Sequence, residues 1–477
     1  MLERQSSTLD AAIANYQRRY RRAPPAGFNR WFAYAKSHGS PIIDDFDSIM
    51  ESLEPFWKVS PAQLRRNIQE VLELPNSRLW AFAIKDGKFQ QLTPGGKPGE
   101  IQRMLGDVFQ DLPNVTLVLN DLDEPRVILS KDPLDDALEF NGIEFYNISA
   151  RSTWSAFRRP CDWQAPVQPS KDSAYTYGLP LLQNRQDSKE ICFHPEYEKM
   201  HGIFMSPETF IYTDAYVPIF SPAKLSTNGD ILLPAPFYVK KEADYDEFND
   251  HAWENKTIML FWAGSTSGGH STDNNDWHTH HRQRFVAFAN QLQNATHTFL
   301  TETRPGVWTT WYSREILSQL YNVKFTGLLQ CDQLGCEAEQ AFFQFGAFED
   351  ANAAFRYRFV FDLDGNSFSG RFYGLLTSHS VVLKQTVFQE WHDERLFPWV
   401  HYVPVSLGLE ELPEVMRYLA LTETGVKRAR EIAEEGRMWR LRALRTVDMG
   451  IYLYRLVLEY ARLLDDERDD AYITFKK

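Results

Sequence analysis

The 477-residue sequence predicts an α/β protein made of two consecutive Rossmann-like halves that face a shared cleft. Three observations predict it. A single hydrophobic core stops growing near ~250–300 residues, so a chain of this length divides. Short runs of β-branched and aliphatic residues alternate with segments of helical periodicity, which argues for parallel strands with helices on both faces. Several of these runs end directly in loops of Gly, Asn, Asp and Ser, where open α/β sheets bind their ligands.

Taken in order, residues 7–22 read as a helix capped by Ser7, with Leu9, Ala12, Ile13, Tyr16 and Tyr20 on one face. Pro24-Pro25 stops it. Leu79 to Ile84 reads as a strand ended by the turn Asp86-Gly87, and Val115 to Leu119 as a strand ending at Asn120-Asp121. Val127 to Leu129 is a further short strand. Residues 150–240, rich in Pro, Ser and aromatics, read as loops over a core, with a buried strand before Pro234. Thr257 to Trp262 is a continuous apolar run, as in a strand buried on both faces. It enters the loop Ala263-Gly-Ser-Thr-Ser-Gly-Gly269, after which His281 to Val286 begins an amphipathic helix. A strand from Arg358 to Leu363 leads into Asp364-Gly-Asn366, a short helix through Arg371 to Leu376, and the strand Val381 to Lys384. Residues 423–465 read as helical, and the sequence has no internal repeat.

Composition narrows the function. The formal charge is −13, from 51 basic and 64 acidic residues. Such a surface repels nucleic acid and anionic lipid. The short basic cluster Arg18-Arg19 and Arg21-Arg22 reads as a solvated helix face. No apolar stretch is long enough for a transmembrane helix, and the opening MLERQSSTLD lacks the apolar core of a signal peptide. Four sequons, at Asn114, Asn147, Asn255 and Asn294, lean toward the secretory lumen, Golgi or endoplasmic reticulum. The expectation is a soluble part of a membrane-tethered precursor. Cys161, Cys192, Cys331 and Cys336 permit two disulfides, with Cys331 and Cys336 able to close a small loop, although four buried thiols read the same way.

Small side chains let backbone N–H groups approach an anion, so the loop after Trp262, with Gly264, Ser265 and Thr266, is a fair phosphate cradle before a helix. It lacks the Gly-Lys-Ser/Thr ending of a P-loop and the dinucleotide fingerprint, and a plain tight turn has the same sequence. Arg282 and Arg371 stand at helix starts in the same half. Their planar guanidiniums suit a diphosphate, with surface ion pairs as the ordinary alternative. His278, His280, His281, His270 and Asp273 fit no zinc pattern well, so no metal is expected there. In Asn120-Asp-Leu-Asp-Glu-Pro125, three carboxylates crowd a strand end. Crowding raises at least one carboxyl pKa, and a positioned carboxylate can serve as a general base.

These residues carry a resemblance. Phe261 to Gly269 with Arg282 to Val286 resembles the donor loop of glycosyltransferase family 90, which holds the protein O-glucosyltransferases and the fungal capsule-associated xylosyltransferases. Tyr357-Arg-Phe-Val-Phe-Asp-Leu-Asp-Gly-Asn-Ser-Phe-Ser-Gly-Arg371 resembles its most distinctive signature, and Ser380 to Gln385 and Pro398 to Val405 continue it. Lys224 to Pro234 and Asn120 to Pro125 are similar to its first-domain segments. The resemblance covers roughly 110–435, and the Gly-Gly pair and His-rich insert place it nearest the fungal branch. It implies a GT-B fold: an acceptor domain with an N-terminal helical extension over 1–240, a UDP-sugar domain over 241–435, and a C-terminal helix, 436–477, packing back across both. It implies Asp123 as general base, and Gly264, Ser265, Thr266, Arg282, Asp364, Gly365, Asn366, Ser367, Ser369 and Arg371 as donor-binding residues. It implies metal-free, inverting transfer from a UDP-sugar, with xylose favoured and glucose second, to a hydroxyl of a glycan or glycoprotein. One departure stands out: many members have Arg where this chain has Ala263. A sugar- or nucleotide-binding protein without catalysis, or a carboxylate-pair hydrolase using Asp121 or Asp123, are the competing readings.

Overall fold

The computed structural model describes residues 2–129, 142–161, 175–176, 178–183, 187–241 and 245–468. Parts of the loop-rich stretch 150–240, and residues 469–477 of the tail, lie outside them. The protein is α/β, with two five-stranded sheets that each carry helices.

The first sheet runs Ile231–Leu232, Ile219–Ser221, Val115–Asn120, Leu79–Lys85, Lys88–Gln91. The first three strands are parallel, whereas Leu79–Lys85 is antiparallel to both of its neighbours. This sheet is therefore mixed, a departure from the parallel pattern. At its edge, Asp86 and Gly87 both have positive φ, 50° and 70°, the two-residue turn that folds Leu79–Lys85 and Lys88–Gln91 into a hairpin. Val127 makes only an isolated bridge, to Thr213, instead of a strand. The opening helix is Leu9–Tyr20, and its cap is Thr8, whose hydroxyl accepts from the Ala11 N–H, not Ser7.

The second sheet is wholly parallel, in the order Tyr321–Gly327, Thr257–Ser265, Tyr357–Leu363, Val381–Gln385, Val403–Pro404. Numbered along the chain this is 2-1-3-4-5, so the strand order reverses between Thr257–Ser265 and Tyr357–Leu363. That reversal opens a crevice at the carboxyl ends of these two strands. The strand Thr257–Ser265 runs through Ala263 and Gly264, and the loop begins only at Thr266. The helix His281–Ala289 is not amphipathic: seven of its nine residues are buried, because it lies between the sheet and the segment around His201. An antiparallel hairpin, His297–Arg304 with Val307–Ser313, is inserted before strand Tyr321–Gly327 and had no clear sequence signal.

The long helix Glu423–Ala443 packs on the second sheet. The last one, Thr446–Leu463, returns to helices Phe28–Ser37, Asp47–Leu53 and Pro98–Leu105 beside the first sheet. It is buried almost all round, and the Arg455–Glu459 ion pair, 3.0 Å, lies inside that contact with the guanidinium over Tyr16, Phe28 and Trp31. Cys161–Cys192 and Cys331–Cys336 form disulfides. The asparagines of all four sequons are exposed. Among the described residues no helix is long and apolar enough to cross a membrane.

Candidate active site

The crevice predicted by the strand order is walled by the loops after Thr257–Ser265 and Tyr357–Leu363, and faced by the loop after Val115–Asn120 of the first sheet. Two hollows meet there. One, of about 340 Å³, is lined by Trp80, Lys97, Asp121 and Asp123 on one side and by Ser267, Gly365, Asn366 and Ser367 on the other. The second, of about 420 Å³, is lined by Ala263, Arg282, Arg371, Phe348 and Asp350 among others. Phe237, Phe368 and Gly370 belong to both. Larger hollows of 550 and 800 Å³ lie elsewhere and are not walled by these strand ends.

Arg282 sits in the first turn of its helix, where backbone N–H groups already favour anions. Its Nε donates to Asp364 O at 2.8 Å, and its Nη1 donates to Ser265 O and Ser267 Oγ at 3.1 and 2.8 Å. Arg371 caps the helix Phe372–Thr377 and donates from Nη1 to Ala263 O at 2.6 Å. Burial, then the neighbouring Arg371, pulls the Arg282 guanidinium down to about 9. Arg371 is open to the cavity yet closely surrounded, and crowding lowers it while Asp362 pulls it up. Two crowded cations that repel each other at the mouth of one hollow make a site that gains from a bound anion.

The glycines of the 264–269 loop serve a different purpose from an open cradle. A Cβ on Gly268 would come within 2.7 Å of His281, and one on Gly269 within 2.6 Å of His280. Gly202, on the facing segment, lies so close that its Cβ would sit 2.0 Å from Gly268 O. Small residues here permit close packing of backbone on backbone. Thr266 is fully buried, its hydroxyl donating to Leu329 O and accepting from Leu329 N. Ser265 shares a hydroxyl contact with Ser267 at 2.9 Å. Gly264 stands over Trp262, within reach of Arg371.

The other signature residues divide between scaffold and wall. Asp364 is buried, and its carboxylate accepts from Val387 N while its carbonyl accepts from both His281 and Arg282. Gly365 N donates to Ser367 O, tightening the loop. Ser369 accepts from the Arg371 N–H and, through its carbonyl, from the Tyr238 hydroxyl. Asn366 and Ser367 face the smaller hollow, and Asn366 Oδ1 and Ser367 Oγ are buried without a hydrogen-bond partner.

Facing them, the Asn120 side chain fixes the acidic loop. It accepts from Leu122 N at 2.9 Å and donates to Glu124 O at 2.7 Å. Asp123 is left exposed, accepting from Asn366 Nδ2 at 3.3 Å across the crevice. Asp121 accepts from Gly96 N at 3.1 Å. The carboxyl whose pKa rises in this motif is Glu124, pushed up to about 7. Burial is the main cause, and the crowding by Asp123 contributes only a minor part.

The histidines are spread over separate tasks. His281 is stacked on His201 with ring centroids 3.6 Å apart, both held neutral by burial. His281 Nδ1 accepts from Gly202 N, so its Nε2–H donates to Asp364 O. His280 is buried, His270 pairs with Glu208, His278 stacks on Trp277, and Asp273 is exposed. Among the described residues no group of three or more such side chains is placed to hold a metal ion.

Sequence reasoning missed Phe237, which joins the two hollows, because it belongs to a part of the chain without clear period. It also missed Lys97 and Trp80, the latter brought beside Leu119 at the crevice by the antiparallel pairing of its strand.

Residues 314–469 match the family model for glycosyl transferase family 90. That segment contains Asp364 to Arg371 and excludes Asp123, Gly264 and Arg282. Protein O-glucosyltransferase 1 of Bos taurus is 32% identical over 112 residues, 23% of this chain and 27% of that protein. An O-glucosyltransferase rumi homolog of Aedes aegypti is 35% identical over 115 residues, 24% and 28% of the two chains. Protein O-glucosyltransferase 3 of Rattus norvegicus is 32% identical over 108 residues, 22% and 21%. The match thus spans about a quarter of the length of these relatives. Over residues 314–469, about a third of its length, the chain is thus similar to glycosyl transferase family 90.

Proposed function

We propose that the protein is a UDP-sugar-dependent, inverting glycosyltransferase of GT-B architecture, with an acceptor domain over 1–240 and a donor domain over 241–435. The observation that carries the reading is the crevice itself: a carboxylate, Asp123, on one wall, and two repelling guanidiniums, Arg282 and Arg371, on the other. Asp123 takes the proton from an acceptor hydroxyl. The oxygen attacks the anomeric carbon of an α-linked UDP-sugar, UDP leaves, and a β-glycoside forms. The arginines, with N–H groups at the start of helix His281–Ala289, stabilise charge growing on the UDP phosphates, which is electrostatic preorganisation. Fixed cations do here what a divalent ion does in other sugar transfers, so no metal is required.

The donor reading is UDP-glucose first and UDP-xylose second. The features behind the xylose preference, Gly268-Gly269 and His280-His281, are consumed in packing behind the crevice and say nothing of the sugar. The matched relatives are named for O-glucosyl transfer. The acceptor is a glycan or glycoprotein hydroxyl, and the compartment is the secretory lumen, supported by two disulfides and four exposed sequons.

UDP release, measured over a panel of UDP-sugars with and without glycan acceptors, tests the reading. Turnover with UDP-glucose or UDP-xylose that needs an acceptor supports it. UDP binding without release under any acceptor favours the binding-protein reading, which rests on Ala263. Absence of UDP binding favours the carboxylate-pair hydrolase.

A further inference from the structure

Asp123 and Asn366 come from opposite sides of the crevice, 243 residues apart in sequence, and meet at 3.3 Å. Both backbones are fixed. On one side the Asn120 side chain ties Leu122 and Glu124, the residues flanking Asp123, and Arg126 in turn donates to Asn120 Oδ1 at 3.2 Å. On the other, Asp364 is held through its carbonyl by His281 and Arg282 and through its carboxylate by Val387 N, and Gly365 N closes on Ser367 O. What these bonds leave undetermined is the rotamer of Asp123 itself, an exposed side chain. A carboxylate accepts and does not donate, so the Asn366 atom facing it is the amide nitrogen. The amide oxygen then points elsewhere, and it is buried with no partner, as is the neighbouring Ser367 Oγ. Both residues line the hollow that contains Asp123.

We infer that Asn366 is a positioning residue for the base rather than a diphosphate ligand. Its amide N–H holds Asp123 Oδ2, so that Oδ1 is the oxygen presented to the acceptor hydroxyl. Its orphaned Oδ1, with Ser367 Oγ, takes a hydroxyl of a neutral sugar lying in the same hollow. One amide thus ties the rotamer of the base to occupancy by a polyhydroxyl ligand, and the two sides of the crevice must be apposed for it to act. The charged groups around Asp123 are Asp121 and Glu124 on its own loop and Lys97 from the segment before helix Pro98–Leu105. From the facing wall, Arg282 stands behind Gly365. Among the described residues none of them donates a hydrogen bond to Asp123 in place of the amide.

The inference rests on Asp123 being the base, and a double-mutant cycle separates the two. Asn366→Ala should lower kcat about ten- to a hundredfold, the range for a hydrogen bond to a charged group, while calorimetric affinity for UDP stays at the wild-type value. Asn366→Asp keeps the shape but cannot donate and repels Asp123, so it should lose at least as much as Asn366→Ala. In the Asp123→Asn background, Asn366→Ala should cost clearly less than in wild type, the remainder being the sugar contact. If the double variant falls below Asp123→Asn by the factor seen in wild type, Asn366 acts on something other than the base and the inference is overturned. Weakened UDP binding by Asn366→Ala, or Asn366→Asp more active than Asn366→Ala, overturns it as well. Full turnover by Asp123→Asn instead removes the base assignment, and the inference with it.

Discussion

Replacing Arg371 by alanine tests the donor site most directly. In the structure the guanidinium donates to Ala263 O and repels Arg282. Losing that bond costs roughly 1 kcal/mol, and relief of Arg282 offsets part of it. In a chain this long the melting temperature should therefore move by about 2 °C or less. The bound state differs. A charge-assisted bond to a phosphate oxygen contributes about 1.5–3 kcal/mol, and each 1.4 kcal/mol is about tenfold in affinity. UDP should bind roughly ten- to a hundredfold more weakly. Arg371→Lys, which keeps the charge but not the planar fork, should recover part of the loss. Uridine, without phosphate, should bind wild type and Arg371→Ala alike. Isothermal calorimetry with UDP and uridine, beside a thermal melt of each variant, reads all of these. If uridine weakens as much as UDP and the melting temperature falls sharply, Arg371 belongs to the fold. The diphosphate argument then rests on Arg282 alone.

Three further outcomes are expected. Asp123→Asn should keep its UDP affinity and lose about 10²–10⁴ in turnover, the range of a general base; Asp121→Asn, whose carboxylate is occupied by Gly96 N, should lose less. Activity should survive excess EDTA, and a loss restored by manganese or magnesium would refute the metal-free reading. Buried Glu411 is pushed up to about 7 by burial, against the pull of its bonds to Ser406. The folded state then holds its proton more tightly than the unfolded one, so this group costs stability as pH rises from the ordinary carboxyl range through 7. Glu411→Gln should flatten the fall in melting temperature between pH 5 and 7.5, and an unchanged slope would place the proton elsewhere.

The sequence by itself determined the α/β class, because the apolar runs at Val115, Thr257, Tyr357 and Val381 are too short and too β-branched for helices. It also singled out the strand-end loops, since Asn120 to Pro125 and Asp364 to Arg371 place charge and small residues where a buried strand must surface. Tertiary structure decided the rest. The first sheet is mixed because Leu79–Lys85 pairs antiparallel with Val115–Asn120, a long-range pairing that the local Asp86-Gly87 turn does not set. Glycines at 268 and 269 read as an anion cradle, yet they are demanded by Gly202, His280 and His281, which arrive from elsewhere in the chain or sit behind the loop. The expected crowding of carboxylates became a burial effect at Glu124, because which acid points inward depends on the Asn120 side chain and on Thr209. The pairing of Asp123 with Asn366 joins residues 243 apart. Sequence periodicity reports which face of an element is buried, whereas the partner across a crevice is fixed only when two sheets are brought together by the helices that pack around them.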